Sequence, residues 1–223
     1  MKKILALLLA MCCILTVVSC GNKDDGEAPT GANSEQVEAI ANIINSSDPT
    51  VVVTVTEYSV GEDVYKGRFE TERDKKKDKS VFSFSYTRPA YVEDMSDSPV
   101  IEVAGKVYYN EGKVSANEGA DWQISDSAYV ELDMSLDANK LKTYSFSEDG
   151  GTLTATATAE NAERILGTKI SAEGDVTIVI TTNSVYLYNV RITYTAKSTG
   201  ASVVVDTSYD YRATNLDFPV DAE

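Results

Sequence analysis

Three consecutive stretches near the end of the chain decide the fold: DVTIVITT at residues 175–182, VYLYNVRITYTA at 185–196 and SVVVDTSYDY at 202–211. In each stretch apolar and β-branched side chains alternate with polar ones, the period of a strand with one buried face. The links between them, residues 183–184 and 197–200, are too short for a crossover, which needs about a dozen residues. The sequence therefore predicts an antiparallel three-strand meander.

Shorter stretches with the same alternation precede the meander. The alternation in residues 50–58 (TVVVTVTEY) places three valines on one face: Val51, Val53 and Val55. Residues 99–104 and 106–110 are predicted to pair through a turn at Gly105, because glycine commonly occupies turns. The remaining predicted strands are residues 65–71, 81–86, 143–146 and 152–157.

Two helices are predicted beside these strands. The first follows Asn33, a possible N-cap, and carries an apolar stripe at i, i+3, i+4 and i+7: Val37, Ile40, Ala41 and Ile44. A helix of about 13 residues is marginal alone, so this stripe must pack against the sheet. The second is short and spans residues 159–167 (AENAERILG), with Gly167 at its C-cap.

The stretch from 122 to 142 allows two interpretations. Its apolar residues alternate with acidic and polar ones, which favours a strand: Val130, Leu132, Met134 and Leu136. Residues 137–141 can instead begin a short helix.

Composition argues against most catalytic classes. The chain of 223 residues has a formal net charge of −15 and no histidine, which removes histidine-based triads and the commonest general base. No nucleophile elbow, phosphate-binding loop or dinucleotide fingerprint occurs, and no acidic cluster has the spacing of a calcium loop. So acidic a surface also repels phosphate backbones. We expect a non-enzymatic protein without cofactor or metal that does not bind nucleic acid.

The start of the chain has the features of a secretory signal. Two lysines precede an apolar run that ends at Val18, and this run is too short to span a bilayer, which takes about 20 apolar residues. The sequence Val17-Val18-Ser19-Cys20 resembles the bacterial lipobox. That resemblance implies cleavage before Cys20 and a diacylglyceryl anchor on its thiol, which would hold the protein on a membrane outside the cytoplasm. The side would be the extracellular face in a Gram-positive host, and the periplasm or outer membrane otherwise.

These features divide the chain into four parts. Residues 1–19 are the signal peptide, 20–33 a lipidated start and flexible tether rich in Gly, Asp and Asn, 34–219 one β-rich domain, and 220–223 a tail. The other two cysteines, Cys12 and Cys13, lie in the signal peptide. The domain would therefore keep no thiol for a disulfide or a nucleophile.

The order of elements resembles the LolA/LolB and LppX/LprG-like lipoproteins, including their uncharacterised Gram-positive branch. The local matches are Lys106 to Asn110, Trp122 and the closing meander followed by Pro219. The resemblance implies an α+β, mostly antiparallel fold, in which a curved, incompletely closed β-barrel carries an N-terminal helix and a second short helix packed on the sheet. Some members of this group hold acyl chains in the concave face.

By that resemblance, the concave face of this chain would bind an apolar or lipid-like ligand. Its candidate lining is Val37, Ile40, Ile44, Val53, Val55, Phe69, Phe82, Phe84 and Tyr109. The same residues also suit an ordinary filled core. The protein would then be a cell-surface interaction module that binds protein or polysaccharide through its tyrosine-bearing strands. The sequence identifies no partner protein.

Overall fold

The computed structural model describes residues 32–89, 100–116, 123–124, 132–216 and 218. Several sequence predictions fall outside these residues: the signal peptide, Cys20 and the tether up to residue 31, the matches at Trp122 and Pro219, the alternation at Val130, and the tail 220–223. The last two residues of the predicted tether, Ala32 and Asn33, are helical.

Within the described part, two α-helices and eleven strands form in chain order. Helix α1 spans Ala32–Ser46, so it begins one residue before Asn33, which therefore does not cap it. Helix α2 spans Ala159–Leu166. The strands are β1 Val51–Val60, β2 Asp63–Asp74, β3 Lys79–Pro89, β4 Val100–Asn110, β5 Lys113–Ser115, β6 Gln123–Ile124, β7 Thr143–Phe146, β8 Thr152–Thr158, β9 Ala172–Thr182, β10 Leu187–Ala196 and β11 Ser202–Asp210.

All eleven strands belong to one antiparallel sheet, in the order β6-β5-β4-β3-β2-β1-β11-β10-β9-β8-β7. The closing meander β9–β10–β11 is present as predicted. Strand β1 pairs with β11, with Val52 opposite Tyr209, so the first and last strands meet in the middle of the sheet. Strands β6 and β7 are its two edges, and the curved sheet stays open. The predicted fold class is confirmed.

The two sides of this central pair differ in how they are packed. We call strands β7–β11 the packed half, because both helices bury their apolar stripes against its concave face. Nearly inaccessible side chains from helices and strands form one core there: Ile40, Ile44, Leu153, Ile165, Ile178 and Ile180. We call strands β1–β4 the aromatic half, after the half-buried rings on the same face of the sheet: Phe69, Phe82, Phe84 and Tyr86.

Helix α2 is fixed at both ends by its own sequence. The Thr158 hydroxyl accepts a hydrogen bond from the Asn161 N–H at its start, and Gly167 ends it in the left-handed region with φ 64°. The glycine C-cap is as predicted. The Ile165 carbonyl near the helix end accepts the Ser135 N–H at 2.8 Å, which ties the segment before the helix to its last turn.

The sequence left residues 122–142 open between a strand and a short helix, and the structure describes residues 132–142 of this stretch. Residues 132–137 form neither a helix nor a strand, and residues 138–140 form a short 3₁₀ turn capped by Asp137. The alternation still has a structural meaning, because Leu132, Met134 and Leu136 pack against the core. The segment thus covers the sheet instead of extending it.

Strand β4 corrects the prediction of a turn at Gly105. The chain runs through Gly105 as one continuous strand paired with β3, and Gly105 lies opposite Phe84. A methyl group at Gly105 would come within 2.6 Å of the Phe84 ring. Glycine therefore occupies this position because an aromatic ring lies against its backbone, and no turn is needed to explain it.

Candidate functional site

A cleft of about 470 Å³ lies where the packed half meets the aromatic half. Its sheet side comes from five strands, with lining residues Val52, Thr54, Phe69, Thr71, Phe82, Val190, Ile192, Val205, Thr207 and Tyr209. Its covering side consists of residues 132–134 and 166–168, with Pro49 also in contact. The cleft is therefore bounded by the central strands and by the segments that cover the packed half.

The lining of the cleft is mainly apolar. Val52, Phe69 and Phe82 are half-buried, whereas Ile192 and Tyr209 on the other side are each only 8% exposed. Three threonines and Tyr209 are the residues with polar side chains on the sheet side. Small-ligand sites typically measure about 300–1,000 Å³ and combine apolar walls with few polar groups. The cleft has the size and chemistry to hold one small apolar molecule or a single hydrocarbon chain.

A stripe of aromatic rings continues the cleft into the aromatic half. Ring centroids are separated by 6.4 Å between Phe69 and Phe82, 5.8 Å between Phe82 and Phe84, and 6.2 Å between Phe84 and Tyr86. These separations are typical of interacting aromatic pairs. The stripe extends the apolar surface along β3 beyond the cleft itself.

Four of the predicted lining residues lie on this concave face. Phe69 and Phe82 line the cleft. Phe84 lies directly opposite Phe69 in the register, so it shares that face, and it is the next ring of the stripe. Tyr109 is on the same face by register, opposite Ser80, but it is not among the described residues that line the cleft.

Val53 and Val55 require a correction. Thr54 of β1 lies opposite Phe69 of β2, and directly opposed residues of paired strands point to the same face. The even-numbered residues of β1 therefore face the cleft, and Val53 and Val55 point to the other side of the sheet, where Val55 is 40% exposed. These two valines do not form a common lining with Phe69.

The helix residues of the predicted lining lie elsewhere in the core. Val37, Ile40 and Ile44 are 1%, 3% and 2% exposed. Ile40 and Ile44 belong to the closely packed core between α1 and the packed half, and none of the three lines the cleft. The helix therefore packs on the sheet, as predicted, but fills space beside the cleft.

Sequence reasoning missed the covering side of the cleft. Leu132 and Met134 were recognised as alternating apolar residues, but nothing local indicates that they lie across from Phe82. Val190, Ile192, Val205 and Tyr209 belong to the predicted closing meander, but the sequence did not assign them to a site. Only the long-range pairing of β1 with β11 brings them beside Phe69.

Charged groups are sparse around the cleft. Asp133 is the one charged side chain among the described lining residues. Burial raises the pKa of Tyr194, which packs against the core, and that of Tyr211, whose hydroxyl donates to the Leu187 carbonyl at 2.8 Å. Both phenols are therefore neutral at physiological pH.

Two other features, a metal site and a membrane-spanning helix, are absent from the described residues. No three side chains of His, Cys, Asp or Glu in that part of the chain are grouped so that they could hold a metal ion. None of its helices is both long and apolar enough to cross a membrane.

Comparisons with known proteins find similarity among solved structures alone. No family model and no curated protein sequence matches the chain. LprF from Mycobacterium bovis is 11% identical, with 87% of this chain and 99% of that one covered and a TM-score of 0.38. The hypothetical protein CT021 from Chlamydia trachomatis is 9% identical, with coverage of 83% and 98% and a TM-score of 0.28. A DUF1329 family protein from Desulfovibrio piger is 12% identical, with coverage of 82% and 94% and a TM-score of 0.27.

The solved structures thus include LprF, a lipoprotein of the LppX/LprG group that the order of elements resembles. Neither membership of a family nor an activity follows from likenesses this distant, and the chain is similar to these proteins in its overall arrangement of a curved, open antiparallel sheet.

Proposed function

We propose that this protein is a non-enzymatic lipoprotein of the bacterial envelope, anchored through Cys20, that holds one apolar or lipid-like ligand in the cleft between the two halves of its sheet. The observation that carries the proposal is the cleft of about 470 Å³ with its mainly apolar lining. Its continuation as the Phe69–Tyr86 stripe supports the same conclusion.

Physical chemistry favours an apolar occupant. A hydrocarbon that enters the cleft leaves water along its length, which is favourable in proportion to the apolar area removed from solvent. The rings of Phe69 and Phe82 are half-buried, so a bound chain would also shield apolar surface of the protein itself. The described residues of the lining include no group of side chains arranged to activate a bond, and we therefore propose binding without a chemical step.

The anchor is proposed from the signal sequence and the lipobox resemblance at Cys20. Two acyl chains hold a protein durably on a bilayer, whereas one chain binds only marginally. Cells that express the full chain should incorporate an alkyne-bearing palmitate into the protein, and Cys20→Ala should abolish the label. Equal labelling of Cys20→Ala would contradict the anchor and leave the cleft proposal standing.

The cleft is tested with chain 20–223 carrying Cys20→Ser, so that no attached lipid competes for the site. We expect the neutral apolar dye N-phenyl-1-naphthylamine to bind with increased fluorescence. Phe82→Asp should weaken this binding at least about tenfold, because it places a carboxylate among the apolar side chains of the lining.

Val55→Asp is the matched control, since it introduces the same carboxylate on the opposite face of the sheet, at a residue of β1 that is 40% exposed. It should leave dye binding within about twofold of the parent protein. Failure of the parent protein to bind the dye, or equal losses in both variants, would contradict binding in the cleft.

A second function is favoured by one surface observation. Tyr186 and Tyr188 are 42% and 44% exposed at the start of β10, and the Tyr186 ring lies 4.4 Å from that of Tyr211. Exposed aromatic rings of this kind suit an interaction module that binds protein or polysaccharide. Retention of the protein on purified cell-wall polysaccharide, lost in Tyr186→Ala and Tyr188→Ala and kept in Phe82→Asp, would support this function instead.

A further inference from the structure

We infer that the cleft selects ligands by the charge of their polar end: it accepts a single-chain amphiphile with a positively charged head group beside Asp133 and disfavours an anionic one. This inference rests on the proposed function and specifies its ligand class.

The first observation is the composition of the lining. Among the described residues that line the cleft, Asp133 is charged and the others are apolar, glycine, threonine or tyrosine. No lysine or arginine occurs among them, and Lys169, which directly follows the lining residue Thr168, is exposed and lies outside this set. A carboxylate or phosphate head group would therefore meet a like charge without a counter-ion in the described lining.

The second observation is the position of the carboxylate. Asp133 lies against the end of helix α2, where a methyl group at Gly167 would be 3.0 Å from the Asp133 carboxylate oxygen Oδ2. The C-terminal end of a helix carries a partial negative charge that favours cations. Arg164 in the last turn does not offset this locally, because its guanidinium is paired with Glu160 at 2.5 Å. The carboxylate and the helix end thus make the same part of the cleft negative.

The third observation is the geometry of the lining around that point. Leu132 and Met134 flank Asp133 on the covering side, and Phe82 lies on the sheet side of the same cleft. Asp133 is exposed, whereas Met134 is 8% exposed. An amphiphile can therefore place its hydrocarbon among the apolar residues and keep its head group at the exposed carboxylate, still in contact with water.

The test compares three ligands of equal chain length: dodecylamine, dodecanol and dodecanoate. Each displaces N-phenyl-1-naphthylamine from chain 20–223 with Cys20→Ser at pH 7 and 150 mM salt, at which the screening length of about 8 Å suppresses distant charges. We expect the amine to bind at least about tenfold more tightly than the carboxylate, with the alcohol between them.

Asp133→Asn is the deciding variant, because it keeps the shape of the side chain and removes its charge. It should bring the affinities for the amine and the alcohol to within about threefold of each other. Glu62→Gln is the matched control, since it removes one negative charge at the exposed link between β1 and β2 and should preserve the order of the three ligands.

The outcomes separate the two proposals. Binding of dodecanoate as tight as that of dodecylamine, or a preference for the amine that survives in Asp133→Asn, would overturn the charge selectivity and leave the apolar cleft intact. A loss of the preference in Glu62→Gln as large as in Asp133→Asn would overturn it too, since the attraction would then come from net charge. Failure of all three ligands and of the dye would overturn the binding function itself, and the selectivity with it.

Discussion

The packed half and the aromatic half of the sheet have the same antiparallel pairing but bury their concave faces to different extents. In the packed half Leu153, Ile178 and Ile180 are at most 1% exposed beneath the helices. In the aromatic half the rings of Phe69 and Phe82 on the same face are only half-buried. The difference indicates that the packed half supplies most of the buried core, whereas the aromatic half leaves apolar surface accessible.

This division is a common one in physical terms. Segments that bind ligands come from the less stable part of a structure, since surface reserved for a guest cannot be fully used for packing. The cleft lies at the boundary between the two halves, where residues of β10 and β11 are held by the core and residues of β1–β3 are not fully covered. A ligand in the cleft would contact the tightly packed residues of β10 and β11 on one side and the more exposed residues of β1–β3 on the other.

The largest effect is expected from truncating the core of the packed half. Leu153→Ala removes most of a fully buried side chain at 0% exposure and should lower the free energy of unfolding by about 3 kcal/mol, through lost burial and a residual cavity. Urea unfolding followed by circular dichroism measures it. Val107→Ala, at a half-buried residue on the same face of the aromatic half, should cost about 1 kcal/mol. Equal costs would contradict the division.

Two glycines with positive φ provide a sharper comparison. Gly167 has φ 64°, and a methyl group there would lie 2.3 Å from the Asp133 carbonyl oxygen, a backbone atom that cannot move without displacing the covering segment. Gly61, between β1 and β2, has φ 59° and no atom within 4 Å of the corresponding position. The two positions share a backbone conformation and differ in their surroundings.

We therefore expect Gly167→Ala to cost about 2–3 kcal/mol, the sum of left-handed strain and a steric clash, and Gly61→Ala to cost about 1 kcal/mol from strain alone. Urea midpoints of the two variants measure the difference. Gly167→Ala should also weaken dye binding, because the displaced residues line the cleft. Indistinguishable midpoints would mean that residues 132–134 are not firmly packed on α2.

Features of the fold that depend only on residues close together in the sequence could be predicted, and features that depend on distant residues could not. The closing meander and the glycine cap of α2 were correctly predicted, because strand period, short links and the C-cap are properties of neighbouring residues. The turn at Gly105 was wrong for a related reason. A glycine that accommodates Phe84 from another strand looks, locally, like a glycine that makes a turn.

The prediction of the cleft lining was wrong where the local sequence pattern fits both faces of a strand equally well. Residues 51–53 are three consecutive valines, so alternation alone cannot choose which face of β1 is buried. The face that β1 buries is set by its pairing with the far end of the chain, where Tyr209 lies opposite Val52. Phe69 and Phe82 were identified because they lie in the alternating stretches 65–71 and 81–86, whereas Leu132 and Met134 reach the cleft through tertiary packing that no spacing reveals.

Alkaline pH should act on the packed half. Burial raises the pKa of Tyr144, Tyr194 and Tyr211 above the ordinary value of 10.0, so the folded state holds these protons more tightly than the unfolded state. The resulting contribution to stability is complete below about pH 10 and is lost as pH rises through the folded pKa values.

Urea midpoints measured from about pH 8 to 11 should therefore fall less steeply when all three tyrosines are replaced by phenylalanine, which keeps the rings and removes the titration. The variant can be less stable at pH 8, since Tyr211 loses its hydrogen bond to the Leu187 carbonyl. The slope against pH is the relevant quantity, and an unchanged slope would show that burial of these phenols does not drive the alkaline loss.

The smallest effect is expected at the link between β7 and β8, an exposed part of the packed half. Asp149 accepts hydrogen bonds from the Ser147 hydroxyl at 2.5 Å and the Gly151 N–H at 3.0 Å, and these lower its pKa from the ordinary 3.8. A lowered folded pKa contributes stability above about pH 4 that is lost as pH falls through the folded value. The difference in urea midpoint between the parent protein and Asp149→Asn should accordingly be small at pH 7 and shrink towards about pH 2.

Because this turn lies outside the core, hydrogen exchange of Leu153 and Ile178 should be unchanged in the variant. Faster exchange at those amides would mean that the core depends on its turns, and that the packed half is less independently stable than its burial indicates.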